Sequence, residues 1–232
     1  MKSFVIRNLL SREEVFDLIA LKDDRWTRAS SISEKRMPTT TGARITEASP
    51  INYLHTHTIG AKVIRKANEL FNNKYYCNEA ISILKYDAKI KAKFDWHKDT
   101  IDYTVFADHK GDRVTDPEKF YLMNRRPTRD VSITIALNNR SDYNGGIFKL
   151  QCDESDLESE AKIIDLNIGD AVLFDSKMKH GVTPVTGGIR YSAIFWLYEL
   201  EKYYECWDDT ETEPAEGWDR FKRYYEEHNL PL

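Results

Sequence analysis

Two kinds of hydrophobic pattern divide the chain. Up to about residue 75 the apolar positions recur at helical spacing, and from Tyr75 onward they fall into short β-type runs. Phe4 to Leu10 reads as a first strand running into a helix. Ser11 followed by Glu14 forms a capping box, and Val15, Leu18, Ile19 and Leu21 give that helix an apolar stripe. Trp26 to Ser31 predicts another strand, whereas Ser33 to Ser49 has little periodicity and predicts a loop crossing the face of the domain. Pro50 opens a second helix whose buried side is Ile51, Leu54, Ile59, Val63, Ile64, Ala67 and Leu70.

The β half begins with Tyr75 to Tyr86, a turn at Asp87-Ala88 and a strand from Ile90 to Trp96. Val131 to Leu137 is a further strand, and Asn144-Gly145-Gly146 turns the chain into Ile147 to Gln151. Cys152 to Glu160 is an acidic hairpin tip. Ala161 to Leu166 and Asp170 to Phe174 are joined by Asn167-Ile168-Gly169, and His180 to Val185 is joined to Ile189 to Leu197 by Gly187-Gly188. Short, evenly spaced strands with glycine turns imply a barrel or jelly roll. The expected fold class is therefore mainly β with flanking helices (α+β), the N-terminal helices lying on one sheet. Residues 1–232 are expected to form one domain: 1–75 as helical support, 76–198 as the β core, 199–232 as an acidic linker and short C-terminal helix carrying Trp218, Phe221, Tyr224 and Tyr225. Residues 100–128 form an insertion with apolar residues of its own, read either as a lid or as a surface excursion.

Composition narrows the function classes. With 41% hydrophobic and 31% charged residues the chain can build a core, and a formal net charge of −4 argues against a general nucleic-acid binder. The start of the chain has no long apolar core of a signal peptide, and no run is long enough to cross a membrane. Cys77, Cys152 and Cys206 have neither metal spacing nor an even count, so reduced thiols and a cytoplasmic location are expected.

The chemistry centres on Phe94-Asp95-Trp96-His97-Lys98-Asp99. On an extended chain His97 and Asp99 project to one side and can grip one cation. His180, after the strand Asp170 to Asp175, is the best third ligand. Two imidazoles and one carboxylate leave open positions suited to non-haem Fe(II) and O2. Arg190, ten residues on in an apolar strand, needs an anion, which a dicarboxylate co-substrate would supply. His55 and His57 point away from each other on a helix and cannot share an ion, and His109 and His228 lack partners at useful spacing. Lys89, Lys91 and Lys93 share strand parity with His97 and read as a solvated edge or as a basic rim for an acidic substrate.

His97-x-Asp99, His180 and Arg190-x-Ser192, in that order, resemble the Fe(II)/2-oxoglutarate dioxygenases, and within them the prolyl-4-hydroxylase-like branch and its PKHD-type hydroxylases. The segments Arg129 to Ser132, Asp142 to Gly146, Leu166 to Phe174 and His180 to Thr186 carry the likeness, over roughly residues 80–198. The resemblance implies a double-stranded β-helix (jelly roll) and Fe(II) held by His97, Asp99 and His180. It further implies 2-oxoglutarate clamped by Arg190 and Ser192, O2 as oxidant and ascorbate as an accessory reductant. Tyr86 and Trp196 match residues that touch the co-substrate or line its pocket, against the alternative that both are core aromatics. The implied reaction is hydroxylation of a peptidyl or free amino acid such as proline, releasing succinate and CO2; Asp99 separates it from a halogenase, which lacks that carboxylate. Two other classes stay open. One is an oxidative demethylase of nucleic acid, whose branch has a second arginine where this chain has Trp196; the other is a non-catalytic sensor of metal or 2-oxoglutarate.

Overall fold

The computed structural model describes residues 1–22, 25–29, 42–51, 57–76, 81–100, 129–152, 155–199 and 226–227. Among them are fourteen strands: β1 (Ser3–Ile6), β2 (Thr27–Arg28), β3 (Arg44–Ile45), β4 (Glu47–Ile51), β5 (Tyr75–Tyr76), β6 (Ile81–Asp87), β7 (Lys93–His97), β8 (Val131–Ala136), β9 (Tyr143–Gly145), β10 (Phe148–Leu150), β11 (Lys162–Ile164), β12 (Ala171–Asp175), β13 (His180–Val182) and β14 (Val185–Glu199). Two helices join them, α1 (Arg12–Ala20) and α2 (His57–Phe71). The capping box starts α1 as expected: the Ser11 hydroxyl accepts from the Glu14 amide and the Glu14 carboxylate from the Ser11 amide.

The strands form two antiparallel sheets. The larger runs β1-β12-β8-β14-β6-β4-β2, with β5 and β9 also pairing with β14; the smaller runs β11-β10-β13-β7-β3. Alternation along the central strands decides what each face touches. On β8, Val131, Ile133 and Ile135 join Ala193, Phe195 and Leu197 of β14 and the buried sides of α1 and α2 (Val15, Leu18, Val63, Ile64) in one core. The opposite face presents Ser132, Thr134 and Ala136 from β8 and Arg190, Ser192, Ile194 and Trp196 from β14. It meets Phe148, Leu150 and Val182 of the smaller sheet in a second core. Helices outside and a sheet inside make the jelly roll that was expected.

Several expectations need correction. The stretch expected as a loop up to Ser49 contains β3 and most of β4, and Pro50 and Ile51 end β4 rather than begin a helix. The first 75 residues are therefore more than helical support, since β1, β2, β3 and β4 extend both sheets. Residues 88–90 form a 3-10 turn, capped by the Asp87 side chain and closed by Lys91 in the left-handed region, so the next strand starts at Lys93. Lys89 and Lys91 are off that strand and exposed, and Lys93 pairs with Asp95, so no continuous basic rim forms. Gly187 and Gly188 lie inside β14 and pair with β9; they are not a turn. Residues 101–128 of the expected 100–128 insertion, His55, His109, Cys77, Cys206, His228 and the aromatic residues of the expected C-terminal helix lie outside the described residues. Among the described residues no helix is long and apolar enough to cross a membrane.

Candidate metal centre

His97 ends β7, His180 begins β13, and the two are direct partners across the antiparallel pair. Val182, two residues on, opposes Phe94, three residues back, so β7 carries one extra residue: a bulge at Asp95–Trp96. The bulge breaks the simple strand parity and brings Phe94 to the same side as His97, the rings stacking at 3.5 Å between centroids and 18° between planes. Arg44 covers the other face of that stack, its guanidinium 4.6 Å from the Phe94 centroid. Gly181 faces the bulge. A Cβ there would lie 3.0 Å from the Phe94 carbonyl oxygen, so the glycine lets β13 approach closely enough for the two histidines to meet.

Asp99 follows β7 in a bend whose amide, with that of Thr100, donates to the Ser176 carbonyl. Its Oδ1 is 3.6 Å from His97 Nε2 and its Oδ2 is 3.4 Å from His180 Nε2. One ligand atom from each of the three residues falls within 4.8 Å of the others. The backbone fixes the tautomers. His97 Nδ1–H donates to the Asp95 carbonyl at 2.7 Å, and His180 Nδ1–H to the Met178 carbonyl at 3.2 Å. That turns both Nε2 atoms toward the carboxylate as the nitrogens available to a ligand. His97 Nε2 is buried without a hydrogen-bond partner. A buried polar nitrogen without a partner, beside a carboxylate and a second imidazole, is a place that a cation would complete.

Electrostatics agree with that arrangement. Burial, aided by the neighbouring His97 and opposed by Asp99, pushes the His180 imidazolium down to about 4, so its ring is neutral and able to ligate. Burial alone would raise the Asp99 carboxyl, but attraction to the His180 and His97 rings in their charged form, with hydrogen bonds from His97 and the Ser132 hydroxyl, outweighs it and holds Asp99 well below the ordinary carboxylate range. Phe174 stands edge-on to His180 at 4.7 Å, on the dry side of the site.

Arg190 enters from the larger sheet. It is 3% exposed, pairs in register with Tyr86, and holds its guanidinium 5.1 Å from the Tyr86 ring centroid. Its Nη1 donates to Ser192 Oγ at 3.1 Å; among the described residues it meets no carboxylate. Burial pushes the Tyr86 phenol up, against the pull of Arg190 and Arg44. Gly146 makes room for the arginine: with φ +57 it takes a conformation side chains rarely adopt, and a Cβ there would sit 3.2 Å from Arg190 Cδ. Arg190 also lines a cleft with Tyr143, Gly146, Phe148, Ile164 and Leu166.

The structure thus gathers His97, Asp99 and His180 at one point, and Arg190, Ser192 and Tyr86 at a second on the larger sheet. Trp196, expected as a pocket wall, donates its indole N–H to Asp99 Oδ2 at 2.9 Å. Sequence reasoning missed Ser132, whose hydroxyl donates to the same oxygen at 2.7 Å, and Ser176, which donates in turn to Ser132 at 2.8 Å. The signal was present in the alternation of hydroxyl residues Ser132 and Thr134 with Val131, Ile133 and Ile135, the mark of a strand with one polar, inward face.

The donor set fits a ferrous ion: two imidazoles and a carboxylate around a shared point, with a buried arginine on the larger sheet. Comparison with known proteins points the same way. A PKHD-type hydroxylase of Synechococcus sp. (strain JA-2-3B'a(2-13)) is 35% identical over 71 residues, covering 31% of this chain and 30% of the relative. The chain thus matches under a third of that relative's length. Among solved structures, the viral collagen prolyl hydroxylase of Paramecium Bursaria Chlorella virus-1 superposes with a TM-score of 0.55 at 17% identity, covering 86% of this chain and 97% of its own. The α-ketoglutarate-dependent epimerase SnoN of nogalamycin biosynthesis has a TM-score of 0.56 at 13% identity, covering 85% and 76%. The same fold therefore carries more than one reaction. The family model described as the 2OG-Fe(II) oxygenase superfamily matches residues 81–198, more than half of the sequence, and the chain belongs to that superfamily.

Proposed function

We propose that the chain is an oxygenase that hydroxylates an unactivated C–H bond of a peptidyl or free amino acid, proline being the leading candidate. His97, Asp99 and His180 hold Fe(II), and Arg190 receives the far carboxylate of 2-oxoglutarate, with Ser192 and Tyr86 beside it. The observation that carries this reading is the meeting of the His97, His180 and Asp99 ligand atoms within 4.8 Å of one another, with both Nδ1 atoms already committed to backbone carbonyls. When bound, the ferrous ion and the oxoacid supply the O2 activation that no side chain can. In sum, substrate C–H, 2-oxoglutarate and O2 give the alcohol, succinate and CO2, one oxygen atom entering the alcohol and the other succinate.

The chain's own residues do the positioning. The Asp95 and Met178 carbonyls hold both imidazoles in the ligating tautomer, and Phe148 and Phe174 keep water from the His180 side. Arg190 turns a buried, costly charge into a co-substrate anchor. Proline is favoured by the kinship of fold with a collagen prolyl hydroxylase and by the local identity to PKHD-type hydroxylases. The position where the nucleic-acid branch carries its second arginine is Trp196, engaged with Asp99.

The test is succinate formation by the purified chain with Fe(II), 2-oxoglutarate and O2, screened with proline-containing peptides, free amino acids and methylated oligonucleotides. Succinate above the uncoupled background with a peptide or amino acid supports the proposal. Stimulation by oligonucleotides alone would move the substrate class, and no succinate from chain with Fe(II) bound would leave a sensor.

A further inference from the structure

We propose that Trp196 and Ser132 are positioning residues that make Asp99 a one-oxygen ligand, through Oδ1. This inference rests on the reading that His97, Asp99 and His180 hold the metal.

A carboxylate oxygen offers two lone pairs in its plane. Asp99 Oδ2 accepts from Ser132 Oγ at 2.7 Å and from Trp196 Nε1 at 2.9 Å, which fills both. Oδ1 has no donor at hydrogen-bond distance among the described residues and faces His97 Nε2 at 3.6 Å. The two donors cannot easily change roles. An indole N–H only donates. Ser132 has a single proton, given to the carboxylate, so the Ser176 hydroxyl at 2.8 Å must be the donor in that second contact.

Their footing is rigid as well. Ser132 and Trp196 are register partners across β8 and β14, so both donors rise from one ladder on the inner face of the larger sheet. The Arg129 guanidinium lies 3.6 Å from the Trp196 ring centroid and holds the indole plane from its other side. Asp99, on the smaller sheet's side, is thereby tied to the larger sheet through one oxygen while the other is free for the ion.

The purpose follows from counting positions. A carboxylate binding through both oxygens would occupy one more site on the metal. Held to one oxygen, with two imidazoles, it leaves the open positions that a two-point oxoacid and O2 require. Trp196 thus serves the co-substrate through Asp99 and not as a pocket wall.

The experiment titrates Co(II), under nitrogen, into the wild-type chain, Trp196→Phe, Ser132→Ala and His97→Ala. Affinity is followed by calorimetry, and ligand number by the intensity of the visible d–d bands. Each of the two positioning variants is expected to keep the metal-free melting temperature near wild type and to lose roughly 10- to 100-fold in Co(II) affinity. Their d–d bands should weaken as the released Oδ2 swings onto the ion. Wild-type affinity and spectrum in both variants would overturn the inference while leaving the metal site standing. Wild-type binding no tighter than that of His97→Ala would instead bring down the metal-site reading itself. If Trp196→Phe does not fold, Ser132→Ala, which removes one atom, decides.

Discussion

Arg190 is the side chain whose environment makes the sharpest demand. Its guanidinium is buried among Tyr86, Ser192 and the backbone of a central strand, where an unpaired charge is expensive. A dicarboxylate meets that demand with two parallel hydrogen bonds. Arg190→Ala should weaken 2-oxoglutarate binding by about 2–5 kcal/mol, roughly 30-fold or more, while metal binding is retained. Arg190→Lys should recover little, because an ammonium lacks the planar fork. Calorimetric titration of the Co(II)-loaded chain with 2-oxoglutarate checks both. His97, Asp99, His180 and Arg190 were legible in the sequence because few residue types can ligate a metal or anchor an anion, and their order and spacing restrict them further. The partners that hold them were less legible. Ser132, Ser176 and the Asp95 and Met178 carbonyls are ordinary residues and backbone, and their roles exist only once two strands are in register.

Among the elements, β7 and β13 decide whether the histidines meet. The bulge in β7 and the close approach at Gly181 are one device seen from two strands. Gly181→Val should press on the Phe94 carbonyl, destabilise the fold by about 1–3 kcal/mol and lower Co(II) affinity, read from urea unfolding and metal titration. The turn before β12 is a second such device. Asp170 accepts from the Asn167 and Asn8 amides and from Arg7, tying the N-terminal strand to the turn. Burial would raise its carboxyl, but these donors hold it below the usual range. The stabilisation is then complete above the ordinary carboxylate value near about 3.9 and is lost as pH falls below it. Asp170→Asn should cost roughly 1 kcal/mol at neutral pH, and its urea midpoint should fall less steeply than wild type on acidification. Elements with a local code were readable, such as the capping box of α1, the apolar run of β12 and the alternation of β14. Where the code was ambiguous the reading failed. Pro50 looks like a helix start, yet it sits beyond the end of β2, where β4 has a neighbour on one side only and a strand proline is tolerated. The lysine parity misled because a 3-10 turn takes Lys89 and Lys91 off the strand, and the bulge shifts Lys93 relative to His97.

In the molecule as a whole, the site is shared between the sheets. His97 and His180 belong to the smaller sheet and Arg190 to the larger, while Asp99 bridges them through Ser132 and Trp196. A metal ion and 2-oxoglutarate bound together would therefore draw on both sheets at once, and metal should raise resistance to unfolding by mass action. The most direct measurement is an anaerobic titration of the chain with Fe(II) and then 2-oxoglutarate, following the visible charge-transfer band of an oxoacid chelated to ferrous ion. A metal centre of His97, Asp99 and His180 beside Arg190 requires one such band per chain in the wild type, absent in His97→Ala and Asp99→Ala, and needing far more 2-oxoglutarate in Arg190→Ala. A wild-type chain that shows no band at saturating metal and oxoacid, or a band that survives loss of His97, would contradict it.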